Sequence, residues 1–384
     1  MIINLSTINF DETGSGGGGA PARLQNRTVG IVANGMRNIM PTGYDGMAEV
    51  TINTAISGET SALDFYQIGY DYNLNEQLNA KINEPLNYSK SLYDAWNPSN
   101  TSAYDLYYNN QQLVYAPNID TSNVTDMRYM FQQCTNLTTV PLLNTSNVTN
   151  MYYVFGGSTK LTTVPLFDTS KVTTMGKMFL NCTNLTTVPL FDTSKVTNME
   201  SMFCNCRNLT TVPLFDTSKV TNMESMFDDC TNLTTVPLFD TSKVTNMNRM
   251  FSYCTNLTTV PAFDTSNMTG MYYMFEGCYN LTSLPLFDCG KFTSISDIFS
   301  SNDKLTTLGG FKDLKISWTD YGGLVKLPNL TYQSVMNVIN NLYDFRGNGD
   351  STTTKTIRFN SNSLNLLSDA DKSIATNKGW ILTS

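Results

Sequence analysis

Between Leu113 and about Ser301 the apolar positions keep a fixed clock. The phenylalanines of an "MF"-type pair fall at Phe131, Phe155, Phe179, Phe203, Phe227, Phe251, Phe275 and Phe299, each 24 residues after the last. Prolines keep the same step from Pro117 through Pro141, Pro165, Pro189, Pro213, Pro237 and Pro261 to Pro285. In the unit "NLTTVPLFDTSKVTNMESMFDDCT", which starts at Asn208, Leu209, Val212, Val220, Met223 and Met226 are apolar and recur in neighbouring units. A strict period without insertions predicts a repeat solenoid, because each turn then buries its apolar side only against its neighbours. The pieces "LTTV" and "KVTNM" are Val- and Thr-rich and predict short parallel β-strands. "ESMF" is expected to close each coil as one short helical or 3-10 turn. The methionines are read as core, since flexible thioethers fill a narrow irregular interior. Eight coils at a strand spacing of roughly 4.8 Å extend for about 40 Å.

The pattern changes on both sides of this region. Residues 1–26 read as a leader and Gly-rich linker, with "GSGGGG" as a flexible segment. Residues 27–55 hold the strand-like runs "TVGIVA" and "AEVTINTA" around the turn signals "NG", "PTG" and "YDG", which predicts a small β module. A unit this small is rarely stable alone, so it is expected to dock on a partner or oligomerise. Residues 56–112 are a Tyr- and Asn-rich connector, 113–303 the solenoid and 304–384 a capping region. Within the cap, "LTYQSVMNVINNLYDF" has helical apolar spacing, "TKTIRF" and "WILTS" read as strands, and "SDAD" stands near the start of a second helix. An α/β cap covers the apolar end of a repeat stack that otherwise aggregates.

Composition narrows the chemistry. There is no histidine among the 384 residues, which excludes His-dependent triads and imidazole metal sites. The formal net charge is -8, with 24 basic against 32 acidic residues and no basic cluster, which argues against nucleic-acid binding. No run of apolar residues is long enough to span a membrane, and the start lacks a basic segment followed by an apolar one. No export signal or membrane insertion is therefore expected, and no cofactor.

Three sets of residues are candidates for chemistry or contact. Cys134, Cys182, Cys206, Cys230, Cys254 and Cys278 share one column, with Ser158 and Asn302 in the same slot. They are read as free structural thiols whose donor meets the backbone at a bend. Asp168, Asp192, Asp216, Asp240, Asp264 and Asp288 head "DTS"-type turns, and a lysine follows three residues later in most coils. Turn hydrogen bonds on a solvated face explain these better than a calcium stripe, which needs a loop that wraps the ion. The positions that refuse to repeat are expected to be exposed. Among them Tyr129, Tyr152, Tyr153, Tyr253, Tyr272, Tyr273, Asp228 and Asp229 are the candidate contact surface. A glycan-cleaving enzyme is the competing class. It is set aside because no inserted loop builds a pocket around paired carboxylates.

The repeat "FDTSKVTNMESMFDDCTNLTTVPL" resembles the BspA-like leucine-rich repeats of bacterial surface proteins, in their "DTSxVTxMxxMFxxC" variant. The resemblance implies a leucine-rich-repeat-like fold and a role in adhesion or recognition. A second stretch, "VANGMRNIMPTGYDGMAEVTINTA", is similar to a short element of phage structural proteins and of surface proteins of Bacteroides-type hosts. Together the two imply a phage virion surface or fibre protein. Its N-terminal region would bind other virion proteins and its repeats would face a bacterial surface glycan or protein. A bacterial cell-surface adhesin and a purely structural decoration protein are the alternatives.

Overall fold

The structure, a computed structural model, describes residues 96–320 and 322–384, with the backbone of five short strands before them. These are β1 (Ile2–Ile3), β2 (Ile8–Asn9), β3 (Ile31–Val32), β4 (Glu49–Ile52) and β5 (Ser61–Asp64). β1 pairs with β3, and β2 and β5 flank β4, so the pairings cross both ends of the 27–55 segment. Apart from these strands, the expected leader, β module and connector before Trp96 lie outside the described residues.

From Trp96 onward, 24-residue turns stack on one another in parallel. Asn198 bridges to Asn222 and Asn222 to Asn246, and the same ladder runs from Ser102 to Asn246. It widens into true strands near the end, where β6 (Gly270–Tyr272) pairs with β8 (Ser294–Ser296) and β7 (Ser283–Asp288) with β9 (Thr307–Lys312). Each coil buries one set of side chains inside, for example Leu209, Val212, Phe215, Val220, Met223, Met226, Phe227 and Cys230. Full burial of one such aliphatic side chain contributes roughly 1.5–3 kcal/mol, so the stacked interior is the main favourable term. The phenylalanines form continuous piles, with Phe203 and Phe227 rings 5.7 Å apart and nearly parallel.

The first described coil starts earlier than the sequence pattern indicates. Ala103, Asp105, Tyr107 and Asn109 donate their N–H groups to Asp126, Arg128, Met130 and Gln132. The Trp96 indole donates to the Asp120 carbonyl at 2.7 Å, and Tyr107 stacks on Phe131 at 5.3 Å. The end of the expected 56–112 connector is therefore part of the stack, with Tyr107 and Asn110 in the slots that Phe and Cys fill elsewhere.

The "ESMF" segment is not helical. Ser225 and Asp229 take left-handed backbone, at φ 53° and 57°, and the same two positions do so in coil after coil. Met226, Asp228 and Cys230 donate to the carbonyls three residues back, at 3.2, 3.2 and 3.0 Å. Met223, Ser225, Phe227 and Asp229 instead donate to the next coil, to Asn246, Asn248, Met250 and Ser252. Alternate amides thus serve the turn and the stack, where a helix would use all of them locally.

The Thr and Asp of the "DTS" triplet fix the opposite bend. Asp216 Oδ1 accepts the Ser218 N–H at 3.0 Å, and the buried Thr217 hydroxyl donates to the Asp240 carbonyl of the next coil at 2.8 Å. One column beside it was not anticipated. Leu142, Leu166, Leu190, Leu214 and Leu238 stand outside the stack, each about 60 % exposed.

The stack ends under helix α1 (Tyr332–Asn341), whose N-cap Thr331 accepts from Ser334 N–H. Ser334 accepts from Leu308 N–H and donates to Thr306 carbonyl, and Asn337 donates to Leu308 carbonyl. These side chains satisfy the free edge of β9, which would otherwise template further pairing. Beyond it, β10 (Lys355–Arg358), α2 (Ser361–Asn365), α3 (Asp369–Asn377) and β11 (Trp380–Thr383) follow, and β10 and β11 pair in parallel. Ser368 and Asp371 form a capping box at the start of α3.

Candidate functional site: an aromatic face on the repeat stack

The non-repeating positions lie in the left-handed turn segment, two after the first Met and two after Phe in each coil. The second member of each pair carries the positive φ, so Tyr129, Tyr153, Tyr253 and Tyr273 all occupy left-handed backbone. This backbone belongs to the repeat, since Lys177, Ser201, Ser225 and Arg249 share it at the equivalent positions, and it sets the direction in which each of these tyrosines leaves the stack.

The structure joins three of the predicted tyrosines with one that sequence reasoning missed. Tyr104 meets Tyr129 edge-on at 5.3 Å. Tyr129 stacks on Tyr153 at 5.7 Å, and Tyr152 meets Tyr129 at 5.7 Å and Tyr153 at 5.5 Å. Tyr104 lies 24 residues before Arg128, so counting the clock one step further back finds it.

Glycines make room for these rings. A Cβ on Gly156 would meet the Tyr153 ring at 2.2 Å, and one on Gly176 would meet Tyr152 at 3.2 Å. The Tyr152 and Tyr153 rings lie over bare backbone, and these two and Tyr129 are half-buried, while Tyr104 is exposed. This corrects the expectation that packing leaves these positions free. Cations frame the patch. Arg128 sits 5.2 Å from the Tyr104 ring centre and is held by Asp126 through Nη2–Oδ2 at 2.7 Å. Lys177 sits 5.7 Å from the Tyr152 ring centre and is paired with Glu200 at 2.8 Å. The Glu200 hydrogen bond holds the Lys177 ammonium well above its usual range, and burial raises the Tyr153 phenol. Both groups therefore keep one protonation state across neutral pH.

Tyr272 and Tyr273 stand further along the columns of Tyr152 and Tyr153, and Tyr253 in the column that follows Phe; no ring contact among the described residues joins the three. The Tyr253 ring lies over Gly277, where a Cβ would stand 2.6 Å away, and its hydroxyl reaches Glu276 at 3.4 Å. Arg249 sits 4.5 Å from the Tyr273 ring centre. Tyr272 lines a shallow polar cleft with Asn246, Asn248, Thr269, Gly270 and Ser294.

The intervening coils are charged. Asp229 is held by Arg207 at 2.7 Å. Asp228 is half-buried, and burial pushes its carboxyl up to about 6. Asp228 lies within electrostatic reach of Arg249 and Glu276, so the acidic pair adjoins the second set of tyrosines and stands apart from the first patch.

Each cysteine of the column points inward. The Cys134 thiol donates to Tyr107 carbonyl at 3.0 Å, and Cys182, Cys206, Cys230, Cys254 and Cys278 each donate to the Phe carbonyl 27 residues back at 3.0 to 3.1 Å. Ser158 does the same at 2.8 Å, and Asn302 donates to Cys278 carbonyl at 3.1 Å. All are free thiols, and burial pushes the Cys182 and Cys206 groups well above their ordinary range. Among the described residues, no group of three Cys, Asp or Glu is placed to hold a metal, and no helix is long and apolar enough to cross a membrane.

Parallel 24-residue turns with Leu and Val inside define a leucine-rich-repeat-like fold. The family model described as "Mycoplasma protein of unknown function, DUF285" matches residues 101–212, 181–283 and 209–309, which together span more than half of the chain. The chain belongs to that family. No curated protein sequence matches it. Among solved structures it is similar to a leucine-rich repeat protein of T. pallidum, at 21% identity over 46% of this chain and 69% of that one, with a TM-score of 0.28. The APL1 leucine-rich repeat domain matches at 13% identity over 65% and 75% of the two chains, with a TM-score of 0.25. The functional domain of InlJ from Listeria monocytogenes, which includes a cysteine ladder, matches at 17% identity over 64% and 68%, with a TM-score of 0.19. TM-scores this low establish no relationship by themselves.

Proposed function

We propose that the protein is a non-enzymatic recognition module: a leucine-rich-repeat-like solenoid that presents a tyrosine face to a glycan on a bacterial surface. The observation that carries this reading is the cluster of Tyr104, Tyr129, Tyr152 and Tyr153, in which Tyr153 and Tyr152 lie over Gly156 and Gly176 and Arg128 and Lys177 frame the patch. Rings held against backbone lose little entropy on binding. Flat aromatic faces bordered by fixed hydrogen-bond donors suit the apolar and polar sides of a sugar. Membership of a surface-type repeat family supports a recognition role.

For its setting we favour the virion surface, with the N-terminal region binding other virion proteins. The resemblance of the segment from Val32 to Ala55 to a phage structural element supports this. The bacterial cell surface is the alternative setting.

Glycan-array binding of the full chain tests the reading. Binding that falls at least tenfold in Tyr104→Ala and Tyr152→Ala supports it. Absence of binding across the array, or binding indifferent to both substitutions, overturns it.

A further inference from the structure

The exposed leucine column has no task within the chain. Leu142, Leu166, Leu190, Leu214 and Leu238 are 65, 59, 60, 60 and 60 % exposed, Ala262 takes the next place, and Leu286 resumes the line at 41 %. The exposed aspartates two residues on serve the bend through their Ser N–H bonds. Positions of the turn segment vary, as Tyr152, Gly176, Glu200 and Glu224 do in one column, while the exposed Thr and Asp columns beside the leucines repeat as the leucines do. A continuous apolar stripe on a soluble surface marks an interaction site.

We propose that two copies of this chain pair side by side through this stripe, in parallel, about a twofold axis that runs along the stack. The period selects the occupant. Leucines on successive coils recur at a parallel-strand spacing of about 4.8 Å. An extended peptide offers one face every ~6.6 Å, and a helix repeats every ~5.4 Å. Both drift out of phase within a few coils. A second copy carries apolar groups at the same interval and stays in phase along the whole column.

Charge selects the orientation. The leucines are flanked on one side by exposed Thr163, Thr187, Thr211 and Thr235, and on the other by exposed Asp168, Asp192, Asp216 and Asp240. A twofold axis along the stack sets the Asp column of one copy against the Thr column of the other, where hydroxyls donate to carboxylates. A twofold axis across the stack sets Asp against Asp, where like charges repel. From Leu142 to Leu286 the stripe spans six coil steps, about 29 Å, and from the Thr to the Asp column about 16 Å. That footprint is about 460 Å² per copy, a little over half of the roughly 800 Å² that each partner gives to a standard interface, so the pairing belongs to the weak class that needs micromolar protein.

Sedimentation velocity of the full chain at tens of micromolar tests the pairing, and oxidative cross-linking tests the orientation. A dimer is expected, and the triple variant Leu190→Lys, Leu214→Lys, Leu238→Lys should run as a monomer with an unchanged circular dichroism spectrum. Leu238→Cys should cross-link to its own counterpart in high yield, because only the parallel arrangement sets like residues opposite each other there. In the antiparallel one, centred on Leu214, Leu238 faces Leu190, about two coil spacings from its own counterpart. A monomeric wild type, an assembly other than a dimer, a dimer that survives the triple substitution, or a Leu238→Cys variant that stays uncross-linked overturns the proposal. Loss of glycan binding by the tyrosine variants leaves it untouched, since the two surfaces share no residue.

Discussion

Replacing Asp228 by Asn should stabilise the protein at alkaline pH and leave it unchanged in acid. Burial is the largest cause that lifts the Asp228 carboxyl to about 6, Asp229 and Glu276 add like charge, and the Ser252 hydroxyl and Arg249 pull the other way. In the unfolded chain the same group titrates near 3.9. The folded state therefore binds the proton more tightly, and wild-type stability falls as pH rises from about 4 to 6 and stays lower above. Two pK units correspond to about 3 kcal/mol. The group is partly open to solvent, so screening reduces this to about 1.5 kcal/mol. Asn keeps the shape and has no charge to desolvate. Thermal unfolding followed by circular dichroism at pH 4 and pH 8 should give equal midpoints in acid and a variant about 3 °C higher at pH 8. A variant less stable than wild type at pH 8, or one shifted equally at both pH values, would refute the assignment of burial as the cause.

Two further outcomes follow from the packing. Cys230→Ser should change the urea midpoint little, because Ser158 already fills that slot with a 2.8 Å bond, whereas Cys230→Ala should cost about 1 kcal/mol through the lost volume. Gly156→Ala places a Cβ 2.2 Å from the Tyr153 ring, so it should lift the ring and weaken glycan binding several-fold, read by titration calorimetry on the best array hit.

The stack was legible because its interior leaves no freedom. Val220, Met223, Met226 and Phe227 each meet their own kind one coil away, so a 24-residue clock is written in their spacing. The first coil was hidden because Ala103, Tyr107 and Asn110 fill slots that hold Met, Phe and Cys later. The turn segment misled for a different reason. Met223, Met226 and Phe227 stand three and four apart, the interval of a helix face, while the left-handed residues that break the helix are Ser225 and Asp229 rather than Gly. Nothing in their identity announces a positive φ. Of the site, the tyrosines were readable as exceptions to the repeat. Their grouping was not, because it depends on which coils supply a glycine beneath Tyr152 and Tyr153 and on the ring contacts of Tyr104 and Tyr129. The exposed leucines escaped notice because an apolar residue between Val212 and Phe215 reads as interior.

The amides shared between coils carry a further electrical consequence. In the turn segment Asn222, Glu224, Met226 and Asp228 accept from the preceding coil, and the very next residues, Met223, Ser225, Phe227 and Asp229, donate to the following one. Each of these peptide units therefore lies along the stack with its N–H toward the C-terminal end, coil upon coil. Aligned peptide dipoles add as they do in a helix, and here several parallel rows add side by side. The C-terminal end of this array is positive, and the chain places a carboxylate there. Asp320 Oδ2 accepts from Asp297 N–H at 2.8 Å and from Gly322 N–H at 3.1 Å, as an acidic N-cap does for a helix. The turn side of the stack is thus polarised along its length, opposed in part by the row in which Thr197, Thr221 and Thr245 donate to the preceding coil, and Asp320 is its terminal counter-charge.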